Sequence, residues 1–227
     1  MARPSHGYTN PDGERLPGVT TIIGMLDKPA LVGWAGKLCA QAGWDAAKRN
    51  EPVPRWNEVC YGKPDAAAAD GTTAHDLFER YLLGEDVQRN GETDGAWRAF
   101  ENARNWKAGL AIEFEVWPHE RPLIDLTLGF GGTPDAIARH AGGVSLADWK
   151  TGGTYPEHLI QLAAYRHLLK ACEGIEVTGC HLVRFHREHG DFHHHQWADD
   201  ALDIGWQVFA ALLQAWPAYK ALKERVK

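Results

Sequence analysis

The chain has 227 residues, a formal net charge of −6 and 44% hydrophobic residues, which is an ordinary composition for a globular protein. This length predicts one large domain or two small ones with a substantial core. No run approaches the ~18 apolar residues of a bilayer span, which excludes an integral membrane protein. The negative charge excludes a uniformly basic surface, although a local basic groove or a bridging metal could still hold nucleic acid. Residues 1–6 lack the apolar core of a signal peptide, which predicts a cytoplasmic protein.

Residues 1–92 predict a mainly helical amino-terminal part. Pro29 opens a helical stretch towards residue 47, because proline is favoured at the first helical position. Residues 71–83 predict a second helix, which Gly84 ends. Its apolar stripe has helical spacing and consists of Ala74, Leu77, Phe78, Tyr81 and Leu82.

Residues 93–198 predict a helix, three strands, a helix and a strand, and a carboxy-terminal helix occupies 199–227. This order predicts an α/β layer arrangement within a single domain over residues 1–227. The predicted core elements are a helix at 93–108, strands at 111–117, 126–139 and 144–150, a helix from Pro156 to Cys172, and a hairpin of 177–186 with 191–197. Pro217 predicts a kink or break in the last helix.

Two acids and a lysine surround one predicted hairpin. Its turn at 140–143 is rich in glycine, and symmetric pairing about this turn places Asp135 opposite Asp148. Directly opposed side chains lie roughly 5 Å apart at Cβ. Because side chains alternate along a strand, Lys150 shares the face of Asp148, and Trp149 points the other way.

Two carboxylates at this separation repel each other, and a divalent cation would remove the conflict. The strand at 144–149 is apolar on both faces, which indicates a buried central strand where charges are seldom left unpaired. We therefore hypothesise a magnesium-dependent phosphodiesterase site. The alternative interpretation is a solvated ion pair without chemistry.

The twelve histidines raise a zinc hypothesis. In the triplet 193–195, alternation sends His193 and His195 to one face and His194 to the other, so the triplet cannot converge on one ion without further ligands. No HExxH motif or cysteine-rich partner accompanies it, and we interpret the segment as a solvated hairpin. The four widely spaced cysteines predict reduced, packed thiols. The chain also lacks a phosphate-binding Gly-x-x-x-x-Gly-Lys-Ser/Thr loop and a dinucleotide fingerprint, which predicts no nucleotide cofactor.

The element order, together with Pro134-Asp135 and Asp148-Trp149-Lys150, resembles the PD-(D/E)XK nuclease superfamily. It is most similar to the RecB-like exonuclease branch, which includes phage-encoded and mitochondrial genome-maintenance exonucleases. The resemblance implies a restriction-endonuclease-like αβββαβ core with a central mixed sheet flanked by helices, plus an amino-terminal helical extension. Its motifs span residues 71–195, and each is short, but five of them occur in order.

The resemblance implies a role for each motif residue. Asp135 and Asp148 would bind Mg²⁺ or Mn²⁺ directly, and the backbone carbonyl of Trp149 would complete the set. Lys150 would orient or deprotonate the attacking water, or stabilise charge on the phosphate. His75 matches a histidine of a preceding helix that joins the metal site in that branch.

Further matches lie outside the hairpin and the histidine-bearing helix face. Glu113 matches a catalytic acid of the first core strand, and Glu115 is the alternative on the same strand face. Gln161 and Tyr165 match residues that shape the site and touch the nucleic-acid backbone, although ordinary packing would also explain a Gln-Tyr pair one helical turn apart. At the predicted helix start, Thr72 and Thr73 could bind a phosphate through backbone N–H groups or simply cap the helix.

The resemblance implies an exonuclease that degrades single- or double-stranded DNA in recombination, repair or phage DNA processing. The expected setting is a bacterial or phage-infected host cytoplasm, with a recombination or single-strand-binding protein as a partner. Some relatives hold an iron–sulfur cluster through four cysteines, and the cysteine spacing here predicts none. Two alternatives stay open: a nuclease-fold protein that binds DNA without cutting it, and a hydrolase of small phosphoesters.

Overall fold

The computed structural model describes residues 7–26, 29–118 and 121–226. Within these ranges, no helix is both long enough and apolar enough to cross a bilayer. The elements in chain order are β1 (Tyr8–Thr9), β2 (Arg15–Leu16), α1 (Val19–Ile23), α2 (Pro29–Arg49), α3 (Trp56–Leu82), α4 (Asp94–Ala108), β3 (Phe114–Val116), β4 (Leu123–Asp125), β5 (Phe130–Gly132), β6 (Ala136–His140), β7 (Gly143–Lys150), α5 (Pro156–Glu173), β8 (Val177–Phe185), β9 (Phe192–Ala198) and α6 (Asp199–Arg225).

A five-stranded sheet with the order β3-β6-β7-β8-β9 forms the centre of the protein. Strand β6 is antiparallel to both of its neighbours, β3 and β7, whereas β7 and β8 are parallel, and β9 is antiparallel to β8. Helix α5 connects the two parallel strands, because parallel neighbours need a crossover connection. The prediction of an α/β protein with a central mixed sheet and flanking helices is confirmed at this level.

The β6–β7 hairpin folds about the predicted turn. His140 pairs with Gly143, and Ala136 pairs with Ala147. Gly143 has a φ of 120°, a backbone conformation that glycine adopts without strain. A Cβ at this position would also lie 2.8 Å from the Thr178 hydroxyl oxygen. The turn therefore requires glycine, and it fixes which residues face each other at the far end of the hairpin.

Each face of the sheet has its own hydrophobic core. One core includes Leu146 with residues of α1, α5 and α6, and the other includes Trp149 with residues of α3 and α4. The Trp149 ring contacts Phe78 of α3 and Trp106 of α4 edge-on, with centroid distances of 5.1 and 5.4 Å. Trp149 therefore points away from the face of Leu146, as strand alternation predicts.

Helix α3 is longer than the predicted helix at 71–83, because it begins at Trp56. The prediction of a helix start at Gly71-Thr72 is wrong, since four alanines at 66–69 favour helix upstream of it. Gly71 lies inside the helix where its backbone approaches Thr151, whose hydroxyl oxygen would be 2.7 Å from a Cβ. The Thr72 hydroxyl donates to the carbonyl of Ala68, one turn back in the same helix.

The predicted strand at 126–139 divides into separate pieces. Strands β4 and β5 form a small antiparallel sheet of their own, and β6 belongs to the central sheet. Asp125 explains the tight connection, because its Oδ1 accepts hydrogen bonds from the N–H groups of Thr127 and Leu128 at 2.8 and 3.0 Å. The first part of the predicted strand therefore belongs to a separate hairpin with β4.

Two smaller predictions also need correction. Helix α6 continues through Pro217 and is not broken there. Cys39 is disulfide-bonded, so the prediction of reduced thiols is wrong for this residue. Cys172 and Cys180 are free thiols, as predicted.

Candidate active site

Asp135 and Asp148 meet where the β6–β7 hairpin opens. Continuing the register from the pair Ala136 and Ala147 places Asp135 opposite Asp148. Each aspartate is only 1% exposed. Oδ2 of Asp135 accepts a hydrogen bond from the Trp149 N–H at 3.0 Å, and the Asp135 carbonyl accepts one from the Trp117 N–H at 3.0 Å. These two hydrogen bonds hold Asp135 against the backbone of β7, directly after Asp148.

Lys150 extends this group towards solvent. Its ammonium forms an ion pair with Oδ2 of Asp148, and its side chain is 20% exposed. The two residues share a strand face, as predicted from their spacing. A half-buried lysine beside a buried carboxylate gives the group one side that a phosphate or a water molecule could reach.

Helix α3 supplies two more ligand-bearing side chains, His75 and Glu79. Nδ1 of His75 is 3.8 Å from Oδ2 of Asp135. Ligand atoms of His75, Glu79 and Asp135 all lie within 4.8 Å of one another. Because His75 and Glu79 are one helical turn apart, they project from the same face of α3. The structure therefore brings His75, Glu79 and Asp135 together, and Asp148 and Lys150 form an ion pair on the adjacent strand.

Glu79 is a residue that the sequence analysis missed. It is buried at 8% exposure, which is rare for a glutamate without a structural or chemical reason. The signal was present, because Glu79 follows His75 by four residues on a predicted helix and therefore shares its face.

Trp149 packs against helix α3 and thereby helps to position it. Ala74, Leu77 and Phe78 are buried on the helix face that packs in the same core as Trp149. Gly71 allows the same helix to approach Thr151, directly after β7. One strand segment thus provides both the charged group and the aromatic anchor that positions the histidine-bearing helix above it.

Glu113 does not join this group. Strand β3 is antiparallel to β6 and pairs Phe114 with Ala138, so Glu113 lies at the end of β6 opposite to Asp135. Its side chain is 85% exposed and forms an ion pair with Lys107 at 3.2 Å. The geometry contradicts the prediction of a catalytic Glu113, because the strand direction carries this acid away from the site.

Glu115, the alternative acid, is also directed elsewhere. It pairs with Ile137 in the register, and its carboxylate lies 3.5 Å from Nε of Arg139. Its side chain is 61% exposed. Both strand glutamates therefore form surface ion pairs, which contribute little to stability.

Gln161 and Tyr165 are buried neighbours on helix α5. Nε2 of Gln161 donates to the Tyr165 hydroxyl at 2.9 Å, which confirms that they share a helix face. The Tyr165 ring packs on Gly132, where a Cβ would be 2.6 Å from a ring carbon. These contacts are packing, and contact with nucleic acid stays a prediction for both residues.

Thr72 and Thr73 lie in the interior of α3. Their N–H groups belong to the helical hydrogen-bond ladder, so the structure contradicts phosphate binding through a helix start. Thr72 is exposed and Thr73 is half-buried. Only a contact through their side chains would still allow the predicted nucleic-acid role.

The pKa of the Cys180 thiol reflects burial and nearby charge on the face of the sheet that packs against α5. Burial, together with the negative charge of Asp148, raises the pKa of this thiol to about 12. A thiol with this pKa is protonated at neutral pH and is a poor nucleophile. Cys180 is therefore a packing residue beside the charged group.

The three consecutive histidines take three different partners. His193 lies in a group with His186 and Asp191 whose ligand atoms are within 4.8 Å of one another. His194 lies on the other face, where its Nε2 is 2.9 Å from Nδ1 of His181. His195 stacks on a tryptophan of the same strand. The triplet does not converge on one ion, but His193 finds ligands outside the triplet.

The similarity of this chain to known proteins is distant. No family model matches the chain, and no curated protein matches it. Among solved structures, the crystal structure of LHK-Exo in complex with dAMP is similar at a TM-score of 0.35 and 16% identity, covering 70% of this chain and 96% of that one.

Proposed function

We propose that this protein is a divalent-metal-dependent nuclease that hydrolyses phosphodiester bonds in DNA and acts as an exonuclease. The proposal is supported by the burial of Asp135 and Asp148, both 1% exposed, by the strand register that continues to them, and by Lys150 on the same strand face as Asp148. Burying two carboxylates side by side is unfavourable unless a cation or a proton offsets the charge. A site built for a cation is the simplest reason for a fold to keep this arrangement.

The donor set fits Mg²⁺ or Mn²⁺. Carboxylate oxygens from Glu79, Asp135 and Asp148 are the ligands that hard divalent ions prefer, and the imidazole of His75 is acceptable to Mn²⁺. Three carboxylates are gathered beside one ammonium, so a divalent ion would offset the remaining negative charge. We assign His75, Glu79, Asp135 and Asp148 to this ion.

The role that we propose for Trp149 involves its backbone carbonyl group. In an extended strand, the N–H and C=O groups of one residue point to the same side. The Trp149 N–H already reaches Asp135, so we expect its carbonyl oxygen to be on the side where the ion would be held. The indole packs in the opposite core and takes no part in the chemistry.

When bound, the ion would lower the pKa of a coordinated water and neutralise phosphate oxygens. Lys150 would hold the attacking water or the phosphate, because its ammonium is the solvent-facing positive charge of the group. Asp148 would keep that ammonium in place through their ion pair. Gln161 and Tyr165, buried together on α5, would support the site from the same face of the sheet.

The order of elements supports the same assignment. Helix α4, strands β3, β6 and β7, helix α5 and strand β8 follow the αβββαβ order of a restriction-endonuclease-like core. DNA is the proposed substrate, with a role in recombination, repair or phage DNA processing alongside a recombination or single-strand-binding protein. A protein that only binds DNA is less well supported, because Asp135, Asp148 and Lys150 are all intact.

End-labelled DNA tests the proposal directly. The intact protein should degrade single- or double-stranded DNA with Mg²⁺ or Mn²⁺ and not with chelator, and Asp148→Asn and Lys150→Ala should abolish the activity. Glu113→Gln is the matched control, because it removes an exposed carboxylate outside the site. Binding without cleavage would favour the DNA-binding alternative, and turnover of only a small phosphodiester would favour the phosphoesterase alternative. A closed circular substrate separates exonuclease from endonuclease action.

A further inference from the structure

A second group of side chains that could bind a metal ion lies at the tip of the β8–β9 hairpin. Nε2 of His186 is 3.8 Å from Oδ1 of Asp191, and the rings of His186 and His193 have centroids 5.8 Å apart. Ligand atoms of all three residues lie within 4.8 Å of one another. We infer that His186, Asp191 and His193 form a binding site for a divalent transition-metal ion of the Zn²⁺ type.

The distances suit one ion with small side-chain movements. Zinc bonds of about 2.0–2.2 Å place two tetrahedral ligands roughly 3.4 Å apart. The 3.8 Å separation of His186 and Asp191 is close to this value. Asp191 and His193 are exposed, so their side chains can rotate to close the remaining gaps without disturbing a core.

Helix α4 holds the loop that carries these ligands. Nδ2 of Asn102, a residue only 4% exposed, donates to the carbonyls of His186 and His189 at 2.8 and 2.9 Å. Nη1 of Arg98 donates to the carbonyl of Glu188 at 2.7 Å. A loop fixed in this way loses less conformational entropy when a ligand binds. The metal would therefore meet a partly preorganised site.

The chemistry differs from that of the carboxylate site. Two imidazoles and one carboxylate favour Zn²⁺ and its neighbours over Mg²⁺, which prefers oxygen ligands. A fourth position would go to water or to His189, whose ring centroid is 5.6 Å from that of His186. The hairpin site is thus expected to select a different ion from the one proposed for Asp135 and Asp148.

One neighbouring charge opposes the ion. Nη2 of Arg184 lies 3.5 Å from Nδ1 of His186, a contact at the outer limit for a hydrogen bond. A metal on Nε2 requires the proton on Nδ1, so this weak contact would break and the guanidinium would turn away. The expected affinity is consequently lower than that of a buried structural zinc site.

Zinc competition with a chromophoric chelator tests the inference in full-length, untagged protein. The measurements use a His75→Ala background with excess Mg²⁺, so that the first site does not take up zinc. One Zn²⁺ should bind, and His193→Ala or Asp191→Asn should weaken binding by at least about 10-fold. His195→Ala is the matched control, because His195 shares the strand face of His193 but stacks on Trp197.

Thermal unfolding gives a second readout. Zinc should raise the melting temperature of the background protein and of the His195→Ala variant, because an ion that binds only the folded state stabilises it. It should not raise that of His193→Ala, whose metal-free melting temperature should match the background. Equal zinc affinity in His193→Ala and the background, or no zinc binding in either, would overturn the inference. Neither result would affect the proposed nuclease function, which is tested by DNA hydrolysis.

Discussion

The two groups of side chains that we propose as metal ligands differ most in burial. Asp135 and Asp148 are 1% exposed and belong to the central hairpin, whereas Asp191 and His193 are exposed at the tip of an edge hairpin. Burying a carboxylate costs free energy, which a nearby cation, a proton or hydrogen bonds must offset. Exposed side chains carry no such cost, and their closeness alone is a weaker reason to infer a site. Mutations should therefore affect the two groups in different ways.

The largest expected effect is on activity after neutralising a buried carboxylate. Asp148→Asn should lower the single-turnover rate of DNA hydrolysis by about 10³-fold or more, because it removes a proposed metal ligand and the partner of Lys150. If Asp148→Asn hydrolyses DNA at an unchanged rate but is less stable than the intact protein, Asp135 and Asp148 have a structural role and not a catalytic one.

Removal of the ammonium should have the next largest effect. Lys150→Met keeps the aliphatic part of the side chain and should lower the hydrolysis rate by about 10²- to 10⁴-fold, the range for a lost proton-transfer or charge-stabilising group. Binding of Mn²⁺ should persist, because Lys150 is not a metal ligand. Loss of metal binding in this variant would show that Lys150 organises the site rather than acting on the substrate.

A pair of glutamate variants tests which acid belongs to the site. Glu79→Gln should lower activity by about 10- to 100-fold, since the amide is a weaker ligand for a hard cation. Glu113→Gln should leave the rate unchanged, because that side chain is 85% exposed and pairs with Lys107. A larger loss of activity in Glu113→Gln than in Glu79→Gln would show that the acid of strand β3, and not the acid of helix α3, belongs to the site.

The smallest effect concerns pH and lies outside both sites. Burial lowers the pKa of His181 from 6.5 to about 4, with contributions from His194 and His140. The unfolded chain binds a proton between these values and the folded protein does not, so stability is complete above pH 6.5 and declines as the pH falls towards 4. His181→Gln should flatten the decline of unfolding free energy across this window, as measured by denaturant titration. An equal decline in both proteins would assign it to other groups.

Local rules were enough to predict the centre of the site. Turn symmetry about residues 140–143 placed Asp135 opposite Asp148, and alternation placed Lys150 beside them and Trp149 on the other face. Each rule depends only on neighbours in the sequence or on the strand paired through one short turn. The part of the candidate site that lies on this hairpin could therefore be predicted from the sequence.

The rest depends on tertiary contacts. The direction of β3 relative to β6 decides that Glu113 lies far from Asp135, and nothing within 111–117 indicates that direction. Glu79 reaches the site because Phe78 of the same helix packs against Trp149, a contact between residues 71 positions apart in the chain. The separate β4–β5 hairpin likewise follows from a side chain, Asp125, that closes its turn.

Manganese binding followed by electron paramagnetic resonance tests the central claim most directly. Titration of Mn²⁺ into the intact protein, into Asp135→Asn and into Glu113→Gln reports the free ion, and hydrolysis of end-labelled DNA is measured along the same titration. We predict that binding and hydrolysis saturate together in the intact protein and in Glu113→Gln, and that both are lost in Asp135→Asn. Hydrolysis that persists in chelator, or Mn²⁺ bound with unchanged affinity by Asp135→Asn, would contradict the account.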